Sequence, residues 1–328
     1  VSNKITANQD TISDWIDFVK RDYSKLGVRI KTVTHTIKCK HQRVELRVHY
    51  PALRASKPTV HDLVELLDVY ITGFALPRLE VQNLHQQYGV LAPDEYDILR
   101  DTAKEKARKL FIKANKATNR NGEAGELLLY LLTEWILEAP QVIAKMPLKT
   151  NPNMPVHGSD GVHIKFHGSS NTLEFIWGES KLHKTATKAM SSAITSLQKA
   201  LSHSEIDFEL GIVNRNIDFT GMNANAKKAM LSYLDPMDEN SNNIINTVTC
   251  LIGFDFTGYV ATAQTDHDKA EAFFSNEITT SLIQFEDTLS KALTKYKLDG
   301  EAIQIFFFPV PSVADLRNSF QSKIGWAQ

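Results

Sequence analysis

A chain of 328 residues is long enough to bury a full core, as one large domain or two smaller ones. With 42% hydrophobic and 23% charged residues it reads as a soluble globular protein, and its longest apolar runs, such as 302–310 with Gln304 and Pro309 inside, are too short to span a membrane. Two cysteines, Cys39 and Cys250, exclude a disulfide framework or a cysteine-based zinc site and fit a reducing cytoplasm, and the first 24 residues lack the apolar centre of a signal peptide.

The N-terminal third reads as α+β. Residues 28–39 suggest a strand that changes phase near Thr32 and Val33, and residues 43–50 alternate cleanly, with Val44, Leu46, Val48 and Tyr50 on one face. Thr59 is expected to cap a helix carrying Val60, Leu63, Val64, Leu67, Ile71 and Phe74, stopped by Pro77, and Pro93 to open another running towards Ala114. A basic cluster lies on and after that second helix: Lys104, Lys106, Arg108, Lys109, Lys113, Lys116 and Arg120, with Glu105 the one acid among them. The formal net charge is −1, low for a protein that grips DNA alone, because non-specific affinity comes from Lys and Arg displacing counterions. Either this cluster meets phosphates and a partner supplies the rest, or the cluster is a solvated helix face.

After an NRNG loop at 119–122 comes the apolar helix GEAGELLLYLLTEWILEA, with Leu127, Leu128, Leu131, Trp135 and Ile136 on a buried face and Glu123, Glu126, Tyr130 and Glu134 on the other. A Pro- and Asn-rich segment, 147–155, precedes two strands. Further on, 184–202 reads as an amphipathic helix, 208–213, 247–256 and 302–308 as strands, and 269–297 and 312–324 as helices, the last capped by Ser312. Strands alternating with helices argue for an α/β core.

The two strands after Pro155 carry the chemistry. Gly168 to Asn171 is a four-residue turn, so His167 faces Thr172, Phe166 meets Leu173, Ile164 meets Phe175 and Val162 meets Trp177. The same register sets Asp160 opposite Glu179. Two carboxylates facing each other at the end of an apolar face repel unless a cation joins them, and a hard divalent ion such as Mg2+ suits oxygen ligands. Lys181 shares the face of Glu179 by alternation, where its ammonium can offset charge on an attacked phosphate. The bland readings are an exposed cross-strand ion pair for Glu179 and Lys181 and a turn-forming Asp-Gly for Asp160. His157, His163, His167 and His183 crowd the region, but His163 and His167 share the face opposite Asp160, so surface or phosphate-contacting roles suit them better than zinc. Tyr130 and Gln198 lie near the site by helical position.

A helix with an acid, a hairpin carrying Asp, then Glu-x-Lys followed by a helix resembles the PD-(D/E)xK nuclease superfamily. The stretches GEAGELLLYLLTEWIL, HGSDGVH and WGESKLH resemble more closely HamA, the nuclease-subunit family of the Hachiman anti-phage defence system. The resemblance implies an α/β restriction-endonuclease-like core, a mixed sheet flanked by helices, at 93–328, after an N-terminal α+β region at 1–92 that contacts a partner. It implies Asp160 and Glu179 as metal ligands for Mg2+ or Mn2+, Lys181 as the catalytic lysine and Glu126 as the helix acid, with Glu123 its nearest substitute. Ser159 stands where the superfamily motif has Pro. The implied activity is phosphodiester hydrolysis in DNA with little sequence preference, beside a superfamily 2 helicase, HamB, in a heterodimer. The competing reading is a non-catalytic nuclease-fold subunit that regulates that helicase, and the site residues alone leave RNA open as a substrate.

Overall fold

The computed structural model describes residues 11–118, 122–149 and 159–326. The expected loop at 119–121, the Pro- and Asn-rich stretch from 150 onward, His157, and the side chains of Lys116 and Arg120 lie outside the described residues.

In chain order the N-terminal region comprises α1 (Ile12–Val19), β1 (Ile30–Val33), β2 (Val44–Pro51), the short strands β3 (Leu53–Arg54) and β4 (Lys57–Pro58), α2 (Val60–Ala75) and α3 (Arg78–Gln86). The long α4 (Pro93–Thr118) and α5 (Glu123–Ile136) follow, then α6 (Lys145–Lys149), β5 (Gly161–His167) and β6 (Thr172–His183). The remainder is α7 (Ala186–Ala200), α8 (His203–Asn216), α9 (Ala224–Leu234), β7 (Ile244–Asp255), α10 (Gly258–Thr262), α11 (Ala270–Lys295), β8 (Ile303–Val310) and α12 (Val313–Lys323). Local chemistry explains several starts. Thr11 and Asp14 form a reciprocal capping box on α1, and the Ser312 hydroxyl accepts from the Asp315 amide at α12.

One six-stranded mixed sheet, ordered β1-β2-β8-β7-β6-β5, organises the chain. Its four inner strands run parallel, and β1 and β5 pair antiparallel at the edges. Strands buried on both faces read as continuous apolar runs, which is why β8 carries Ile305, Phe306, Phe307 and Phe308 without a polar break, all fully buried. Phe307 and Ile305 pack with α7 and α11 residues such as Ile194, Leu197, Phe274 and Leu282. Phe306 and Phe308 pack on the opposite face with residues of α2, α5 and α12. The architecture is a mixed sheet flanked by helices with an N-terminal α+β region. β2 of that region lies directly against β8, so the same sheet runs through it.

Four local expectations change. The strand expected at 28–39 is paired only from Ile30 to Val33. Past that point the chain leaves the sheet for α11, where the Lys40 amide donates to Glu286 at 2.9 Å and Cys39 Sγ lies 3.4 Å from the Ser290 hydroxyl. Residues 208–213 are not a strand but part of α8, because burial there has helical spacing: Glu209, Ile212 and Val213 are inside and Phe208 is exposed. Thr59 does not cap α2 with its side chain, since its hydroxyl donates to the Ala52 carbonyl at 2.8 Å. Helix α5 has no solvated side along most of its length. Glu123 and Tyr130 are buried with the leucines, because the sheet takes one face and α2 the other.

Among the described residues no helix is long and apolar enough to cross a membrane. The packing predicts that Phe307→Ala, which empties a fully buried site between the sheet and α11, costs about 3–5 kcal/mol in urea unfolding.

Candidate active site at the open end of the hairpin

The β5–β6 hairpin has the register expected of its four-residue turn, with Phe166, Ile164 and Val162 opposite Leu173, Phe175 and Trp177. The ladder continues one step past the end of β5, where the Asp160 amide donates to the Gly178 carbonyl at 2.7 Å. The next amide of β6 that points to this edge belongs to Ser180, and among the described residues no strand carbonyl reaches it. The Asp160 carboxylate takes its place: Oδ2 accepts from the Ser180 amide at 2.8 Å and from the Ser180 hydroxyl at 3.0 Å. Asp160 therefore sits at the sheet edge.

Ser180 points towards α5. A Cβ placed on Gly125 would stand 3.3 Å from the Ser180 hydroxyl and 3.1 Å from Leu182 Cγ, so a glycine there permits helix and strand to approach this closely. The approach carries Glu126 into the site. Lys149, at the end of α6, donates to Glu126 Oε2 at 2.6 Å and lies 3.6 Å from Asp160 Oδ1, bridging the two acids. On the other face of β6 Glu179 pairs with Lys181 and accepts a hydrogen bond from Ser196 of α7.

The hairpin end thus gathers Glu126, Asp160, Glu179, Lys149 and Lys181. Burial pushes Glu126 up to about 8, with the Asp160 charge adding to the rise and Lys149 opposing it. Burial, then Asp160, also raises Glu179 against the pull of Lys181. Burial works against ionised Asp160 too, but Lys149, Lys181 and the two Ser180 hydrogen bonds outweigh it and hold its carboxyl below the usual range. Both lysines stay charged: burial opposes their ammoniums, and Glu126 and Asp160 for Lys149, or Glu179 for Lys181, raise them. Three carboxyls facing two ammoniums leave one negative charge over, which a proton or another cation must balance.

That surplus of hard oxygen donors suits a divalent cation in chemistry. Among the described residues, however, no three acidic, His or Cys side chains converge closely enough to hold one ion. The expected face-to-face pair of carboxylates does not form: Asp160 turns to Ser180 and Lys149, which stands between it and Glu126, and Glu179 turns to Lys181 and Ser196 on the other face of β6.

Sequence reasoning missed Lys149, Ser180 and Ser196. Ser180 is the middle residue of Glu-x-Lys, and nothing in the local pattern shows that an edge carboxylate reaches it. Ser196 lies on the buried-side stripe of α7 with Ala189 and Ala193, a signal that was legible. Lys149 had no periodic signal at all. His163 is neither a surface nor a phosphate-contacting residue: it is buried beside Tyr130, with Nδ1 2.9 Å from the Ala139 carbonyl, because its face of β5 is covered. His167 lies 2.8 Å from Glu174. Gln198 is exposed, and Tyr130 is 3.1 Å from the Tyr23 hydroxyl within the core.

The basic cluster on α4 is divided: Lys104 and Arg108 turn towards α2, while Lys106, Lys109 and Lys113 are exposed. Lys104 and Arg108 clamp the buried Asp68 of α2 at 2.7 and 2.8 Å, Lys106 bonds Glu80 at 2.7 Å, and Lys109 lies 3.5 Å from Glu105. Its first four cations serve intramolecular pairs, and Lys113 is exposed.

Linkage gives the sign of the pH dependence. Glu126 holds its proton in the folded, metal-free chain well above its ordinary 4.5, so its contribution to stability is complete below pH 4.5 and disappears as the pH rises through about 8. Glu126→Gln is expected to flatten the fall in urea-unfolding free energy over that window, and an unchanged slope would contradict the assignment.

The family model HamA matches residues 27–324 of the chain. No curated protein matches it.

Proposed function

The chain belongs to the HamA family, and we propose that it is the metal-dependent DNA nuclease of a Hachiman-type anti-phage defence complex. The observation that carries this reading is the surplus of buried carboxylate at Glu126, Asp160 and Glu179 beside the ammonium of Lys181. Asp160 and Glu179, with Glu126, would hold Mg2+ or Mn2+ once their side chains turn from the lysines that now engage them. A divalent ion bound there supplies Lewis-acid stabilisation of the attacking and leaving oxygens of a phosphodiester. Lys181 places a positive charge beside the attacked phosphate. Glu126, which keeps its proton in the metal-free chain because burial raises its carboxyl to about 8, would have to give that proton up to join the metal site.

Affinity for DNA must come largely from elsewhere. The net charge is −1 and Lys104 and Arg108 of α4 are engaged within the fold, so a helicase subunit of the HamB kind, in a heterodimer, is the proposed carrier of the nucleic acid. The region 1–92, proposed to meet that partner, ends in the exposed apolar side chains of Tyr88 and Val90.

A second reading has its own support. Lys149 between Glu126 and Asp160 makes the metal-free site a self-contained ion-pair cluster, as a non-catalytic subunit regulating a helicase could keep it. Plasmid incubated with the protein, alone and with its helicase, in Mg2+ or Mn2+ separates the two. Cleavage that falls at least about 100-fold on Glu179→Ala with Lys181→Ala supports the nuclease. Cleavage equal to wild type removes these residues from the mechanism, and no cleavage by wild type with its helicase favours the regulatory subunit.

A further inference from the structure

Next to the site lies an ion pair that the proposed chemistry does not use. Lys145, at the start of α6, is 1% exposed, and Glu209 of α8 is 4% exposed. The Lys145 ammonium donates to Glu209 Oε2 at 2.8 Å and Oε1 at 3.1 Å, to the Ser159 carbonyl at 2.8 Å and to the Ser159 hydroxyl at 2.8 Å. The Ser159 amide donates to Glu209 Oε1 at 2.7 Å. Every polar group of Ser159, backbone and side chain, is thus held by this one pair, and Ser159 is the residue before Asp160.

A buried ion pair is a weak way to stabilise a fold, because desolvating two charges offsets most of their attraction and apolar residues of the same volume often do as well. What the pair does supply is direction. A carbonyl, a hydroxyl and an amide at one residue fix both the path and the rotation of the backbone entering β5. Lys145 also sits four residues before Lys149, one turn along the same face of α6, so the anchor that holds Ser159 fixes the base of the lysine that bridges Glu126 and Asp160.

We propose that Lys145 and Glu209 are positioning residues of the site: through Ser159 they set the orientation of the Asp160 carboxylate, and through α6 they present Lys149 to it. The consequence for metal affinity rests on the nuclease reading above, and the consequence for backbone order does not.

The test replaces the pair by apolar side chains of similar length, Lys145→Met with Glu209→Met, in the full chain. Two quantities are read beside the thermal midpoint: Mn2+ affinity, by titration of the metal alone, and hydrogen exchange at the Asp160 and Ser180 amides in metal-free protein. A positioning role predicts a midpoint within a few degrees of wild type, Mn2+ affinity weakened about 10- to 100-fold, the usual effect of losing a group that orients a metal ligand, and faster exchange at both amides. Unchanged affinity and unchanged exchange in the folded double variant would overturn the proposal. Wild-type protein that binds no Mn2+ would refute the metal centre instead, and the exchange rates would still decide the clamp. If the double variant does not fold, Glu209→Asp keeps the charge but shortens the reach, and the same two measurements apply with the same outcomes.

Discussion

A carboxylate taken out of water has to be met by a cation or a proton, and that requirement governs the open end of the β5–β6 hairpin. Glu126 arrives from α5, Glu179 from one face of β6, and Asp160 from the edge where the strand pairing runs out. Two lysines meet them, one from each side of the sheet. Asp160 joins the halves, because its Oδ2 completes the β6 edge through Ser180 while its Oδ1 faces Lys149. The third carboxyl, Glu126, is met by a proton in the metal-free chain, and that proton is what a bound cation would replace.

The geometry follows from the sheet beneath it. β6 is twelve residues long and pairs with β7 along all but its first residue, from Leu173 opposite Ile244 to His183 opposite Phe254. β5 starts at Gly161, so among the described residues no strand continues the pairing beside the last residues of β6, and there the Asp160 carboxylate takes the Ser180 amide and Arg317 the Leu182 carbonyl. Gly125 and Gly178 permit the close layering around it. A Cβ on Gly178 would lie 3.3 Å from both the Gly161 nitrogen and Leu129 of α5. A Cβ at either position would require its neighbours to give by a few tenths of an ångström.

Charge elsewhere in the molecule is similarly committed. Lys104 and Arg108 neutralise Asp68 at the α2–α4 contact, and Lys145 neutralises Glu209 under the site, so these three cations are engaged in the fold. Such pairs order the backbone around them more than they raise its stability. The chain as a whole carries a net charge of −1, which is consistent with a nuclease-fold subunit of a defence complex.

Local patterns were legible in the residues alone. Period-two alternation and a four-residue turn determined the hairpin register, including which residues face each other from His167 to Val162, and helical spacing determined α5, α7, α11 and α12. These depend only on neighbours a few positions apart. The balance of charge around Asp160 depends instead on elements docking from afar: Lys149 meets Glu126 across 23 positions, and Lys145 meets Glu209 across 64. Tertiary packing likewise made α8 a helix although its apolar run resembled a strand, and buried α5 on the side that its glutamates had marked as polar. Side chains carry the period of their own segment, but the charge that comes to lie opposite them is decided when the layers close, because only then does burial make an unbalanced carboxylate costly.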